Sequence, residues 1–219
     1  GLAYDYHREY HEEEHTRFSA QGSIRTADGR QVDFALELAM QRSYTETESV
    51  SLRAGDARMK DPLMLDFGGS ASELSDLRFE FDLDADGTAE ALPVPTGRGF
   101  LAIDRDASGR IEDGRELFGA ISGDGFAELA ALDDDGNGWI DEADGAWSSL
   151  RVWQPDAEGE GRLMNLAEAN VGAVYLGRVD TPFRVTDAAN DTLAQVRTTG
   201  VYLREDGSVG SVSQVDLAV

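Results

Sequence analysis

From Phe18 to Met40 the chain alternates apolar and polar residues with a period of two. Val32, Phe34, Leu36, Leu38 and Met40 share one parity, as do Phe18, Ala20, Gly22 and Ile24 before them. Asp28-Gly29 between the two runs is a favoured hairpin turn, so the pattern predicts a β-hairpin with Arg25, Asp33 and Glu37 on its polar face. The polar stretch from Ser43 to Pro62 predicts a connection, with a short strand from Val50 to Leu52. We set a soft boundary there, between an N-terminal β-hairpin segment (1–60) and a second segment (61–219); a single continuous domain fits the same pattern. Past Pro62, short apolar runs ("LMLDF", "LRFEFDL", "GFLAI") are separated by acidic loops containing glycine. Phe79, Phe81 and Leu83 alternate with Glu80, Asp82 and Asp84, so one face packs while the other leads into carboxylates. Helical spacing is confined to the middle. "DGFAELAAL" puts Phe126, Leu129, Ala130 and Leu132 on one stripe behind Asp124 as N-cap. "EADGAWSSL" does the same with Ala143, Trp147 and Leu150, and "NLAEAN" predicts a last short helix. From "VGAVYLG" onward the pattern is strand and turn, with Asn190-Asp191 and Asp206-Gly207 as turns. The predicted class is α+β: β-rich hairpins or a sandwich, with a central EF-hand-like helix–loop–helix and further calcium loops.

Charge changes this picture. The formal net charge is −24 over 219 residues, and Lys60 is the only lysine. Such a balance excludes nucleic acid, whose phosphates need Lys and Arg partners, and disfavours anionic membranes. It favours metal cations or a basic partner. There is no cysteine, which removes disulfides and thiolate metal sites. No run of about 18 apolar residues exists to insert into a membrane, and "GLAYDYHREY" lacks a signal-peptide core.

The acid is concentrated in loops. Residues 133–144 read "DDDGNGWIDEAD". Counting Asp133 as position 1, Asp135 and Asn137 fall at 3 and 5, Gly138 at 6, the Trp139 carbonyl at 7, Ile140 at 8, Asp141 at 9 and Asp144 at 12. This is the ligand schedule of an EF-hand calcium loop, with Asp in place of the usual Glu at position 12. Position 6 needs a sharp turn, which glycine permits, and position 8 anchors the loop in a core. "DLDADGTAE" offers Asp82, Asp84, Asp86, the Thr88 carbonyl and Glu90, with Pro93 at position 12. "DRDASGRIEDGRE" offers Asp104, Asp106, Ser108, the Arg110 carbonyl and Glu112; Arg115 stands at position 12, and either Asp113 or Glu116 closes the shell. A degenerate fourth candidate has Asp156, Glu158 and Glu160 with Gly161. Two carboxylates about 5 Å apart repel by roughly 0.8 kcal/mol even in bulk water. Several such pairs are comparable with a whole folding stability of about 5–15 kcal/mol. A bound divalent ion turns that repulsion into attraction, so these loops predict Ca2+ as the cofactor.

Two other stretches carry chemistry. "HEEEH" at 11–15 matches the H-E-x-x-H zinc pattern, but "YHREYHEEEHTRF" is polar all round where a zinc helix needs an apolar face. As a strand it places His7, His11 and His15 on one outer face. "KDPLMLDF" contains Asp61-Pro62. There the Asp61 carboxylate can attack its own carbonyl carbon, closing a five-membered cyclic anhydride and releasing the Pro62 nitrogen. Nucleophile and target share a residue, which raises effective concentration.

From Asp61 to about Leu176 the sequence resembles the calcium-dependent self-processing module of RTX-type proteins secreted by Gram-negative bacteria. The matching stretches, in order, are "DPLMLDF", "FDLDADGTAE", "GFLAIDRDASGRIEDGRELFG", "GFAELAALDDDGNGWIDEADGAWSSLRVW" and "NLAEANVGAVYLG". The resemblance implies that calcium folds the module, that the chain is cut between Asp61 and Pro62, and that the new Asp terminus passes to a lysine amine of another chain. In that family a further Asp-Gly-Asp-Gly loop follows the first strand; here the place reads "DFGGSASELS". The ending "QVDLAV", acidic then apolar, has the pattern of some type I secretion signals. The sequence therefore leads to a calcium-stabilised binding module, secreted or at the cell surface. The alternatives are a self-cleaving enzyme acting at Asp61–Pro62 and a calcium-independent acidic surface that meets a protein partner.

Overall fold

A computed structural model describes residues 9–25, 29–47, 59–68, 74–187 and 191–218. The predicted hairpin is a long ribbon. Strands β1 (Glu9–Arg25) and β2 (Gln31–Thr47) pair antiparallel without a slip from Glu9↔Thr47 to Arg25↔Gln31. Burial along the apolar face of β2 deepens from half-buried Val32 and Phe34 to buried Leu38 and Met40. The Asp28 half of the turn and the strand expected at Val50–Leu52 lie outside the described residues.

The centre of the fold is a nine-stranded sheet built from β3 (Met59–Lys60), β4 (Leu63–Asp66), β7 (Arg98–Ile103), β8 (Trp139–Ile140), β9 (Leu150–Gln154), β10 (Arg162–Asn165), β11 (Ala173–Thr186), β12 (Thr192–Leu203) and β13 (Val209–Ala218). Its order is β10-β9-β7-β4-β13-β12-β11-β8, every pair antiparallel, with β3 pairing beside β4 along β13. A second ribbon joins β5 (Leu74–Phe81) to β6 (Glu90–Pro95). Strand β4 reads apolar without alternation because both its faces are covered. Leu63 and Leu65 pack with Phe118, Phe126 and Tyr202, whereas Met64 packs with Phe79, Phe100 and Trp153. The β1–β2 ribbon seals part of the second face, with Phe18, Leu38 and Met40 in the same core as Phe183, Val185 and Leu193 of β11 and β12. Arg184 of β11, 2.7 Å from Glu12, ties the ribbon to the sheet, and buried Arg42 pairs with Glu12 and Glu14 across the ribbon itself.

The predicted α+β class with a central helix–loop–helix is overturned. The described chain is β-rich, and its one α-helix is the six-residue α1 (Gly125–Ala130), capped by Asp124 accepting from the Ala127 N–H. Phe126 and Leu129 are buried on it as expected, but Ala130 is exposed. No helix leaves the 133–144 loop. The N–H groups of Asp144, Trp147 and Ser149 reach back three residues rather than four, giving turns and a 3₁₀ segment at Trp147–Ser149. The stripe of Trp147 and Leu150 is satisfied instead by that turn and by Leu150 opening β9. In "NLAEAN" Asn165 ends β10 and residues 166–170 are turns, not a helix. An apolar spacing of three to four over so short a segment does not distinguish a helix from a turn that feeds a strand. The sequence "QVDLAV" lies, up to Ala218, in the buried middle strand β13.

Candidate metal centres

Three of the acidic loops gather their carboxylates. Oxygens of Asp82, Asp84, Asp86 and Glu90 lie within 4.8 Å of one another, as do those of Asp104, Asp106 and Glu116, and those of Asp133, Asp135 and Asp144. The loops share one wiring. In each, the position-1 aspartate accepts the position-5 N–H on one oxygen and the position-6 glycine N–H on the other. Asp82 holds Asp86 at 3.0 Å and Gly87 at 2.9 Å. Asp104 holds Ser108 and Gly109 at 3.0 Å. Asp133 holds Asn137 at 3.2 Å and Gly138 at 2.9 Å. The glycines at position 6 all take positive φ, between 77° and 91°.

The closing acid differs, yet it lands on the same atom. Glu90, at position 9, accepts the Leu83 N–H at 2.8 Å. Glu116, at position 13, accepts the Arg105 N–H at 3.0 Å. Asp144, at position 12, accepts the Asp134 N–H at 2.8 Å. In every case the donor is position 2. The second oxygens of Glu116 and Asp144 also take matching donors, Glu112 at 3.0 Å and Asp141 at 2.9 Å, both at position 9. Glu116 and Asp144 are 6% and 3% exposed, so each closing acid is buried beside other carboxylates. Burial pushes the Glu116 carboxyl above its ordinary range; the N–H groups of Glu112 and Arg105 oppose the shift, and the charges of Glu112 and Asp106 add to it.

The remaining predicted ligands are placed as follows. Asp113 turns away from the 104 group, caps the 3₁₀ turn Gly114–Glu116 and pairs with Arg115, whose guanidinium lowers its carboxyl. Glu112 contributes no carboxylate to that group. Ser108 Oγ donates to the Arg110 carbonyl at 3.3 Å, and the Thr88 N–H donates to Asp86 at 2.8 Å. Asn137 Nδ2 reaches Asp135 at 3.1 Å and Asp141 at 3.4 Å, while its Oδ1 takes the Trp139 N–H at 2.6 Å. Trp139 and Ile140 form β8 against Tyr175 and Val174, so the loop is tied to the main sheet. The 82 and 104 loops are joined to each other by the Gly114 N–H on the Asp82 carbonyl, 2.8 Å. Asp156, Glu158 and Glu160 make a tight turn, with Asp156 Oδ1 accepting from Glu158 and Glu160, and no gathered group. His15, in strand β1, is half-exposed and 2.8 Å from Glu13; the extended backbone removes the helical geometry of a zinc motif, and His7 lies outside the described residues.

All donors in the three groups are oxygens, with no sulfur or imidazole, and the chemistry of such a set fits a hard cation.

The Asp61-Pro62 bond sits where β3 gives way to β4. The Pro62 carbonyl accepts the Val215 N–H at 3.0 Å, and the Leu63 N–H donates to the Phe118 carbonyl at 2.8 Å. The segment 119–125 closes over it, and its glycines are there for space. A Cβ on Gly119 would stand 2.4 Å from the Asp61 carbonyl oxygen, and one on Gly123 3.3 Å from Asp61 Oδ2. The turn is latched at both ends. Gly123 N–H meets the Gly119 carbonyl at 2.9 Å, Glu128 accepts the Gly119 N–H at 3.1 Å, and Gln214 Nε2 donates to the Gly123 carbonyl at 2.6 Å. Sequence reasoning did not single out Gly119, Gly123 or Gln214. The only signal was glycine recurring through "FGAISGDG". Asp66, the last residue of β4, is buried, accepts the Gly68 N–H at 2.9 Å and lies 3.7 Å from buried Arg98.

Among the described residues no helix is long and apolar enough to cross a membrane. In comparisons with known proteins, the family described as "SPM domain" matches residues 63–218. The chain is also 30% identical over 184 residues to the iron-regulated protein FrpA of Neisseria meningitidis serogroup C; the alignment covers 76% of this chain and 16% of FrpA.

Proposed function

We propose that this chain, which belongs to the SPM domain family, is a calcium-binding module whose fold is held by Ca2+ in its acidic loops. The observation that carries this reading is the common wiring of the three loops. Closing acids from positions 9, 13 and 12 arrive at the same position-2 N–H, with carboxylate oxygens gathered within 4.8 Å. Three unrelated solvated turns have no reason to converge in this way. Calcium takes six to eight oxygen ligands and supplies the counter-charge that buried Glu116 and Asp144 lack within their groups. The residues that would hold it are Asp82, Asp84, Asp86 and Glu90 with the Thr88 carbonyl; Asp104, Asp106, Ser108 and Glu116 with the Arg110 carbonyl; and Asp133, Asp135, Asn137, Asp141 and Asp144 with the Trp139 carbonyl. Millimolar calcium is met outside cells, and a secreted or surface setting suits sites of about 10⁻⁴–10⁻³ M affinity. Titration of chelator-treated protein with Ca2+, followed by calorimetry and thermal melting, tests the reading. It expects a rising melting temperature and about three bound ions, with Mg2+ unable to replace them. Equal melting in chelator and in millimolar Ca2+ would refute it.

A second reading is calcium-triggered autoproteolysis at Asp61–Pro62. It is favoured by the packing of the Asp61 carbonyl and one carboxylate oxygen against Gly119 and Gly123. The Asp61 Oδ–C bond forms, the bond from that carbon to the Pro62 nitrogen breaks, and the nitrogen takes a proton. Water then opens the cyclic anhydride, or a lysine amine of another chain attacks it to give an amide. Calcium acts here through folding: the 104 loop runs directly into the segment that closes over Asp61. Intact mass before and after calcium, with Asp61→Ala as control, tests this reading. A wild-type chain that stays whole at every calcium level removes it.

A further inference from the structure

Strand β13 carries an acid that none of the preceding chemistry uses. Asp216 is 0% exposed. Its Oδ2 is bound by the Arg197 guanidinium, and its Oδ1 is buried with no hydrogen-bond partner. The register places it. Strand β13 pairs with β3 at Leu217↔Lys60 and with β4 at Gln214↔Leu63. The two pairings are in one unbroken register, so Val215 stands opposite Pro62 and Asp216 opposite Asp61. The Val215 N–H on the Pro62 carbonyl, 3.0 Å, agrees. Residues directly opposite in antiparallel strands point to the same face with Cβ atoms about 4.5–5.5 Å apart. The neighbours identify that face. Leu63 packs under Gly125, Gln214 donates to the Gly123 carbonyl, and Asp61 Oδ2 faces Gly123. Asp61, Leu63, Gln214 and Asp216 therefore share the face that the 119–125 segment covers.

We propose that Asp216 is the second carboxyl group of the Asp61 site, sharing one proton with Asp61 and delivering it to the Pro62 nitrogen as the Asp61–Pro62 bond breaks. This inference rests on the self-cleavage reading and adds to it the source of the proton. Asp216 is buried and Asp61 half-buried, and two carboxyls facing each other across one ladder do not ionise together readily, so the pair retains a proton at a pH where isolated acids have lost theirs. The ionised Asp61 oxygen attacks its own carbonyl carbon. The Asp61 C–Pro62 N bond breaks, and the electron pair on nitrogen takes the proton from Asp216. The products are a neutral anhydride, a secondary amine and an Asp216 carboxylate that remains against Arg197. Among the described residues, the charged groups that meet this face are Arg197 from β12, bound to Asp216, and Glu128 from α1, which holds the Gly119 N–H. Gln195 of β12, opposite Asp216, and Gln214 are neutral.

The experiment uses the full chain, purified in chelator and started with millimolar Ca2+. Fragment formation is followed by intact mass from pH 4 to 9. Asp216→Asn is expected to slow cleavage about 100-fold or more, within the usual 10²–10⁴ range for a lost proton donor, while a calcium-dependent melt is retained. Asp216→Glu is expected to recover part of the rate. Arg197→Gln removes the positive partner, so Asp216 holds its proton to higher pH, and the alkaline fall in rate moves upward while cleavage persists. Cleavage by Asp216→Asn within threefold of wild type overturns the proposal and leaves the self-cleavage reading standing. So does an Arg197→Gln profile that duplicates the Asp216→Asn profile, which would make Asp216 a structural partner of Arg197. Should Asp216→Asn not fold, the Arg197→Gln profile decides alone. A wild type that stays whole at every pH and calcium level overturns both.

Discussion

The β1–β2 ribbon and the chain from Asp82 to Asp144 use their backbone polar groups in opposite ways. In the ribbon, seventeen residues on each side pair in register, and N–H groups meet carbonyls across the ladder. Apolar contact with β11 and β12 then holds it to the sheet. In the loops, N–H groups at positions 2, 5 and 6 meet carboxylates instead. The first arrangement is complete in itself. The second gathers carboxylate oxygens within 4.8 Å of one another, and like charges so close repel. The loop N–H groups at these positions have partners as the ladder's do, so the difference lies in the charge of the acceptor.

The largest expected effect separates the two regions directly. Removing Ca2+ is expected to lower stability by about 2.7 kcal/mol for each site that was at 100 times its dissociation constant. Hydrogen exchange should accelerate from 82 to 144 more than in the β1–β2 ladder; equal acceleration in both would break the comparison. Met40→Ala should cost about 2–5 kcal/mol through a cavity beneath the ribbon, and the loss should be the same with and without calcium. A loss confined to calcium-loaded protein would contradict the packing described. Asp133→Asn should remove one ion from a calorimetric titration and about 2.7 kcal/mol of calcium-dependent stability under the same saturation, with little change in chelator.

The smallest effect concerns α1. Asp124 is partly desolvated, which raises its carboxyl, but the Ala127 N–H and Arg178 outweigh this and hold it below the ordinary range. Its charge therefore stabilises the fold above the unfolded value near 3.9 and loses that contribution as pH falls through the lower folded value. Asp124→Ala should cost about 1 kcal/mol at neutral pH, and the gap between variant and wild-type melting should narrow in strong acid.

The loops and the ribbon were legible in the sequence for the same reason. Their determinants are local: alternation over a dozen residues, or acids and glycine at fixed offsets. The sequence alone does not choose between Asp113 and Glu116 as the closing acid of the 104 loop, because the choice turns on a 3₁₀ turn that Asp113 caps and that swings Glu116 inward. The helix expected after Asp144 failed because spacing alone does not specify which carbonyl an N–H will reach.

By itself the sequence determined the long hairpin, the apolar strands, the acidic loops and the chemical peculiarity of an Asp-Pro bond, since each is written in neighbouring residues. Only the tertiary structure decided that Gly119, Gly123 and Gln214 close over that bond and that Asp216 stands across from Asp61, 155 positions earlier in the chain. The last of these relations comes from the register of β13 against β3 and β4. Register is fixed by which faces can be buried together, a property of the assembled sheet and not of any one strand.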